Sequence, residues 1–297
     1  MRDYCLQAGE VPLYFMQATI LLAAGEITVQ PNRLLPSLGW FTNSFVFTVI
    51  VTGLIIIVAR TATRKMNLVP TGAQNFIEAL VETLYATFEN IVGRHMITKV
   101  FPVIATLFIF ICAANWIGLV PGVGTIGWGK PGPGLWSLTE IDRPLLRPSD
   151  ADLNMTLGMA VMFMILWLIW TLRDVGLLGF LKENFAPKGQ VGGWLGPFLI
   201  VIFLFVGCIE ILSILLRPVS LSLRLFGNIF AGETLLHTMT TLGLQLPTPL
   251  NWIASVLFPL PFFFLELLVG VLQALVFSAL CGVYIRLSTH AEPGAGH

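Results

Sequence analysis

The chain has 297 residues, of which 56% are apolar and 11% are charged. Soluble globular domains carry about 25% charged residues, so this chain has too few charged side chains to cover a water-exposed surface. Sixteen lysines and arginines balance sixteen acidic residues, which excludes recognition of nucleic acid through a basic face. The composition predicts an all-α protein that crosses a membrane several times.

Apolar runs long enough to span a membrane occur in five regions of the sequence. A helix needs about 20 apolar residues to cross the hydrocarbon core. The predicted spans lie at residues 43–59, 101–120, 153–172, 192–244 and 249–285. The fourth and fifth regions exceed one perpendicular crossing, so they predict two long, tilted helices.

The remaining segments complete the predicted domain organisation. Residues 74–93 place apolar side chains at helical spacing with glutamates off that face, which predicts an interfacial helix that docks on protein. Residues 121–149 are rich in glycine and proline and predict an irregular loop outside the membrane. We expect an outside segment at 1–42 (a targeting segment or an amphipathic helix), one membrane domain at 43–290 and a tail at 291–297.

Basic residues in the connections predict the orientation of the chain. If the N-terminus is outside, nine lysines and arginines lie in the inside connections and five lie outside. The positive-inside rule then favours an outside N-terminus and a cytoplasmic C-terminus. A self-contained chain of this kind fits a bacterial cell (inner) membrane, with the mitochondrial inner membrane as the alternative.

Six charged or titratable side chains interrupt the last two apolar regions. They are Glu210, Arg217, Arg224, Glu233, His237 and Glu266. A charged side chain at the bilayer centre costs about 2.5–3.5 kcal/mol on insertion scales and marks an ion pathway. Glu210, Arg217 and Arg224 are spaced by seven residues and share a helix face. Arg217, which precedes Pro218, fits a structural role as well as a functional one.

Arg224 has no carboxylate within one helical turn on its own segment. A guanidinium cannot lose its proton to escape burial. We therefore expect its compensation to come from another helix, another chain or water, and we favour a carboxylate supplied by another chain. An opposite charge at about 4 Å is worth about 4 kcal/mol at an effective dielectric constant of about 20, which offsets the insertion cost.

Glu266 shares a helix face with Gln273, and Glu233 lies one turn before His237 on the preceding helix. Carboxyl groups and an imidazole in apolar helices predict a proton relay, although His237 alone also fits a hydrogen-bonded packing residue. The sequence has no phosphate-binding GxxxxGK[ST] loop. It predicts no cofactor, no metal site and no enzymatic activity of the chain on its own.

Three segments carry a resemblance to a known family. Residues 218–233 read PVSLSLRLFGNIFAGE, residues 148–157 read PSDADLNMTL, and residues 272–277 read LQALVF. Together they resemble subunit a of F-type ATP synthases, the membrane stator subunit of a rotary motor. The resemblance extends over about residues 43–290, apart from the glycine- and proline-rich loop.

The resemblance implies a proton-translocating stator that forms two half-channels beside a ring of subunit c. It implies that Arg224 faces the ring carboxylate and prevents a proton short-circuit. Glu233, Glu266 and Gln273 would line the outside half-channel, with Asn228 near the junction and Glu210 on the inside path. Nucleotide chemistry would lie on other subunits, and the peripheral stalk subunit b would be a further partner.

One departure from the family leaves the proton donor open. Many members carry histidine at one of the positions that Glu233 and Glu266 occupy here, and His237 stands one turn beyond Glu233. The sequence leaves open which of these three residues delivers the proton. It also leaves open whether the transported ion is a proton or sodium, and how many subunits the ring contains. The alternative readings are a secondary ion transporter, which would show two related halves with broken helices, and a membrane subunit of another proton-pumping complex.

Overall fold

The computed structural model describes residues 41–64, 66–70, 72–120, 123, 127–131, 138–185, 196–247 and 250–289. Most of the predicted outside segment 1–42 and the tail 291–297 lie outside the described residues. The predicted domain boundaries therefore remain predictions.

The described chain is predominantly helical, as predicted. The first helices are α1 (Asn43–Thr63), α2 (Ala73–Val92) and α3 (Arg94–Gly118). After a two-stranded hairpin and a short 3-10 turn follow α4 (Leu153–Asp174), α5 (Leu177–Phe185), α6 (Gly196–Leu244), α7 (Leu250–Leu257) and α8 (Leu260–Thr289).

Within the described ranges, five helical stretches are long and apolar enough to cross a membrane, which confirms the predicted spans. They are Asn43–Thr63, Arg94–Gly118, Leu153–Asp174, Ile202–Leu244 and Ile253–Ser288. Helix α6 contains 49 residues, more than twice the roughly 20 residues that one perpendicular crossing of the hydrocarbon core needs. The tilt expected for it stays a prediction.

Local sequence signals mark both ends of α1 and the C-terminal end of α4. The Thr42 hydroxyl caps α1 by accepting a hydrogen bond from the Phe45 amide at 3.3 Å, and Arg60 lies in the last turn, where a cation complements the helix dipole. Helix α4 gives way to α5 at Gly176, whose φ of 78° lies in the left-handed region that glycine adopts without steric cost.

Helix α2 docks on protein, as the acidic character of its polar face predicts. Two aromatic rings of α2 contact rings of α3. The ring centre of Tyr85 lies 5.0 Å from that of Phe101, and the ring centre of Phe88 lies 6.5 Å from that of Phe108. The apolar face is covered only in part, because Phe76 remains 69% exposed. The helix begins after Gly72, and the side chain of Gln74 bonds to the backbone of Asn67.

The prediction of an irregular loop at 121–149 is wrong for part of that segment. Strand β1 (Gly127–Pro131) pairs antiparallel with β2 (Leu138–Pro144), and register shifts follow Trp128 and Lys130. The prediction failed because closely spaced glycines and prolines are typical of turns. Strand pairing depends on contacts between two separate segments, which the composition of one segment does not reveal.

The chain divides into two compact units. Unit one consists of the described parts of Met1–Met66, Ile109–Met155 and Leu225–Ala274. Unit two consists of the described parts of Asn67–Phe108, Thr156–Arg224 and Leu275–His297. In both units many large apolar side chains on the spanning helices are exposed, for example Ile57 and Phe264 in unit one and Phe205 in unit two. Such faces suit a surrounding of lipid or of other membrane subunits.

Candidate functional site

The predicted site residues fall into two groups, one in each unit. Glu210, Arg217 and Arg224 lie on α6 in unit two, and we call them the charged stripe. Asn228, Glu233, His237, Glu266 and Gln273 lie on α6 and α8 in unit one, and we call them the carboxylate cluster.

Within the charged stripe, Glu210 is held in an ion pair. The Nη2 of Arg217 donates to Oε1 of Glu210 at 3.1 Å, although the two residues are seven positions apart. The usual side-chain pairs on a helix are three or four residues apart, but the long arginine side chain bridges two turns here. Glu210 nevertheless stays 48% exposed, which keeps the carboxylate in contact with its surroundings.

Aromatic rings from two other helices enclose Arg217. Its Cζ lies 4.9 Å from the ring centre of Tyr284 on α8 and 5.7 Å from that of Trp167 on α4. The indole of Trp167 in turn donates to the Tyr284 carbonyl at 3.0 Å and to Oγ of Ser288 at 2.8 Å. Arg217 is thus an internal packing residue stabilised by cation–π contacts, an arrangement that favours the structural role.

Arg224 differs sharply from Arg217. It is exposed, and among the described residues nothing forms an ion pair or a hydrogen bond with its guanidinium. It stands in the apolar sequence of a spanning helix, where a permanent positive charge requires compensation. The described part of the chain supplies no bonded counter-ion.

In the carboxylate cluster, Glu266 lies directly against the backbone of α6. Its side chain is 6% exposed, and its carboxyl group occupies the space that a Cβ atom at Gly232 would fill. Glycine at position 232 therefore permits this close approach. Glu233, the next residue on α6, is near enough to Glu266 and to Arg147 to interact with both charges.

A hydrogen bond links the two amide side chains of the cluster. Nδ2 of Asn228 on α6 donates to Oε1 of Gln273 on α8 at 2.8 Å. Gln273 is buried, and its Nε2 has no hydrogen-bond partner among the described residues. The same holds for Oε1 of Glu266 and Nε2 of His237. Buried polar atoms of this kind are normally satisfied by water, so the cluster suits a hydrated path.

His237 is not bonded to either carboxylate in the described part of the chain. It follows Glu233 by one turn and is half-buried. The structure thus brings Glu233 and Glu266 together, and Asn228 and Gln273 together, but it shows no bonded relay through the imidazole.

Two groups of residues at this site escaped the sequence analysis. Arg147, one of the five basic residues that the orientation count places outside the membrane, is 8% exposed and donates to the Ala151 carbonyl at 3.1 Å. On α3, Asn115 donates to the Gly270 carbonyl at 3.3 Å and Trp116 to the Leu267 carbonyl at 3.2 Å. These carbonyls lie on α8 between Glu266 and Gln273, so α3 holds the two turns of α8 that separate these side chains. The adjacent asparagine and tryptophan, two hydrogen-bond donors in an apolar span, are the feature of the sequence that could have predicted these contacts.

Five spanning stretches with carboxyl groups, an imidazole and arginines in the last two define the class of ion-translocating membrane proteins. A family model described as ATP synthase A chain matches residues 45–286. A curated ATP synthase subunit a from Protochlamydia amoebophila is 30% identical over 251 residues, covering 84% of this chain and 81% of the relative.

Two further relatives carry the same name. The ATP synthase subunit a of Moorella thermoacetica is 33% identical over 231 residues, 78% of this chain and 83% of the relative. That of Gloeobacter violaceus is 29% identical over 265 residues, 89% of this chain and 91% of the relative.

The chain belongs to the ATP synthase A chain family, the subunit a of F-type ATP synthases. Its role is that of the proton-translocating stator subunit, and it works in a membrane, in a complex with other ATP synthase subunits. This assignment decides against the alternative of a secondary ion transporter.

Proposed function

We propose that Arg224 separates two proton half-channels and that its counter-ion is a carboxylate of a rotating subunit c ring. The observation that carries this proposal is an exposed guanidinium in a spanning helix with no bonded partner among the described residues. A charge that cannot be removed by deprotonation needs an external carboxylate to offset its insertion cost.

The carboxylate cluster suits the outside half-channel. Glu233 and Glu266 can each take up and release a proton, and the Asn228–Gln273 pair offers donors and acceptors for water. A proton that enters here would neutralise a ring carboxylate, which could then face lipid. Moving one elementary charge across the membrane releases about 2.3 kcal/mol per 100 mV of membrane potential. Several protons must therefore cross for each ATP that the nucleotide-binding subunits synthesise.

The charged stripe suits the inside half-channel. Glu210 is bonded to Arg217 and half exposed, so its carboxylate can draw protons that move to or from the ring into this path. Arg224 would then repel protons that attempt to pass directly between the half-channels. We place the chain in a bacterial cell (inner) membrane, with an outside N-terminus and the peripheral stalk subunit b as a further contact.

The test of this proposal is Arg224→Ala in the assembled complex. We expect ATP-driven proton pumping in membrane vesicles to be lost, while passive proton conduction appears and the complex still assembles. The control is Arg64→Ala, which removes an exposed arginine at the C-cap of α1 and should leave pumping intact. Normal coupled pumping in the Arg224 variant would contradict the proposal.

Crosslinking tests the ring contact. Gly227 follows Arg224 by three residues, is exposed and has open space for a Cβ atom, so Gly227→Cys should form a disulfide with a cysteine placed in the outer helix of subunit c. Leu225 is fully buried, and Leu225→Cys is the matched control that should not crosslink. Equal yields from both positions would argue against the proposed ring-facing surface.

A further inference from the structure

A short turn in front of α4 buries polar side chains that the proposed function does not use. The 3-10 turn Ser149–Ala151 is fully buried, and Asp152 after it is almost so. The turn packs against α1, and a Cβ atom at Gly118, the last residue of α3, would lie 2.8 Å from Cγ of Pro148. Ends of two helices therefore enclose this segment within unit one.

Asp150 is the residue in this turn whose carboxyl group is not satisfied. Its side chain is 0% exposed. Its Oδ1 accepts one long hydrogen bond from the Ser149 hydroxyl at 3.4 Å, and its Oδ2 has no partner in the described part of the chain. Burial of this kind disfavours the charged form and raises the pKa of Asp150 to about 7 against the weaker opposing effect of the Ser149 hydrogen bond.

The neighbouring carboxyl group has a different task. Oδ1 of Asp152 accepts a hydrogen bond from the Asn154 amide at 3.0 Å, which caps the first turn of α4. A carboxylate in that position is engaged by the backbone, whereas half of the Asp150 carboxyl group is free to bind a proton or a water molecule.

Arg147 connects this turn with the carboxylate cluster. Its guanidinium donates to the carbonyl of Ala151, the residue after Asp150, and its charge interacts with that of Glu233. The charged residues next to Asp150 in its own segment are Arg147 and Asp152, and the charge of Arg147 interacts with that of Glu233. The hydrogen bond from Ser149 opposes the effect of burial on the Asp150 carboxyl group. From α1, the buried first-turn residues are the neutral Asn43 and Ser44.

We propose that Asp150 is a proton-exchanging group that extends the outside half-channel from Glu233 and Glu266 to the turn before α4. A proton would pass from water to Oδ2 of Asp150 and leave again to water that leads toward Glu233, with no other bond made or broken. This inference rests on the proposed outside half-channel, but the protonation of Asp150 can be tested without it.

The first experiment measures protonation directly. In the purified complex, infrared difference spectra between about pH 6 and about pH 8 should show the loss of a protonated carboxyl band as pH rises. Asp150→Asn should remove this component, whereas Asp174→Asn, an exposed carboxylate at the end of α4, should not. If Asp150→Asn leaves the spectrum unchanged, Asp150 does not exchange a proton near neutral pH and the inference is overturned.

The second experiment measures proton flux. Proton-driven ATP synthesis with Asp150→Asn should slow on the order of threefold to tenfold near neutral external pH, less than the hundredfold or more of a sole acid–base group, since Glu233 and Glu266 remain. Asp174→Asn should leave the rate unchanged. An altered spectrum with an unaltered rate would remove Asp150 from the path. Normal coupling in Arg224→Ala would defeat the half-channel proposal instead, and the infrared result would still stand.

Discussion

Glu210 and Glu266 are both glutamates in long apolar helices, yet they lie in opposite surroundings. Glu210 is half exposed and bonded to Arg217. Glu266 is buried against the backbone at Gly232, and its Oε1 has no partner among the described residues. Glu210 thus has a bonded cation and contact with its surroundings, whereas the described residues give Glu266 neither. The two groups therefore suit different tasks, an ion pair in the stripe and proton transfer in the cluster.

Of substitutions around these two glutamates, the larger effect should follow from removing the close approach of Glu266 to the α6 backbone. Gly232→Ala places a methyl group where the Glu266 carboxyl group lies, and that flexible side chain must move away. We expect proton-driven ATP synthesis to fall on the order of tenfold or more while the complex still assembles. The rate in vesicles at fixed proton-motive force is the measurement.

Gly158→Ala is the matched control for this substitution. It lies on α4, outside the carboxylate cluster and the proposed ring contact, and a Cβ atom there meets nothing within 4 Å. Its rate should equal that of the unmodified complex. A Gly232→Ala complex that works at full speed would show that the position of the Glu266 carboxyl group is not critical, and the contrast with Glu210 would lose its functional meaning.

A smaller effect, on stability, should follow in the stripe. Arg217→Ala removes the cation between Trp167 and Tyr284, and cation–π contacts are worth about 0.5–2 kcal/mol. The ion pair adds at most about 1 kcal/mol because Glu210 is half exposed. We expect a loss of about 1–2 kcal/mol in denaturant unfolding of the purified subunit in detergent.

Arg217→Lys sharpens this prediction because it keeps the charge but loses the planar group that stacks on rings. The free energy of unfolding of Arg217→Lys should lie between that of the unmodified subunit and that of Arg217→Ala. If Arg217→Ala abolished proton flux without any loss of stability, Arg217 would belong to the proton path, and the structural role assigned to it would be wrong.

The sequence predicted the spanning helices well because the bilayer sets their length. The start of α4 at Leu153 was predicted to the residue, and the end of α3 at Gly118 differs by two positions. The enclosure of Arg217 was not predictable, because Trp167 and Tyr284 lie on other helices and only the fold brings their rings together.

Arg147 shows a second limit of the sequence analysis. A lone arginine beside a glycine- and proline-rich stretch looks like a solvated loop residue, and its burial depends on packing that no local pattern encodes. Charges inside apolar runs were easy to find, whereas a charge buried at the end of a span was not. The roles assigned to Arg224, Asn228, Glu233, His237, Glu266, Gln273 and Glu210 stay predictions until they are tested.

The contacts of Asn115 and Trp116 with α8 have a consequence for chain length. Each α-helical residue turns the helix by about 100°, so one added or deleted residue between Glu266 and Gly270 would rotate the glutamate away from Gly232 or break the contacts at Leu267 and Gly270. We expect selection to eliminate such length changes. Homologous chains should therefore agree in length between Glu266 and Gly270, whereas we expect differences in length around the hairpin between α3 and α4.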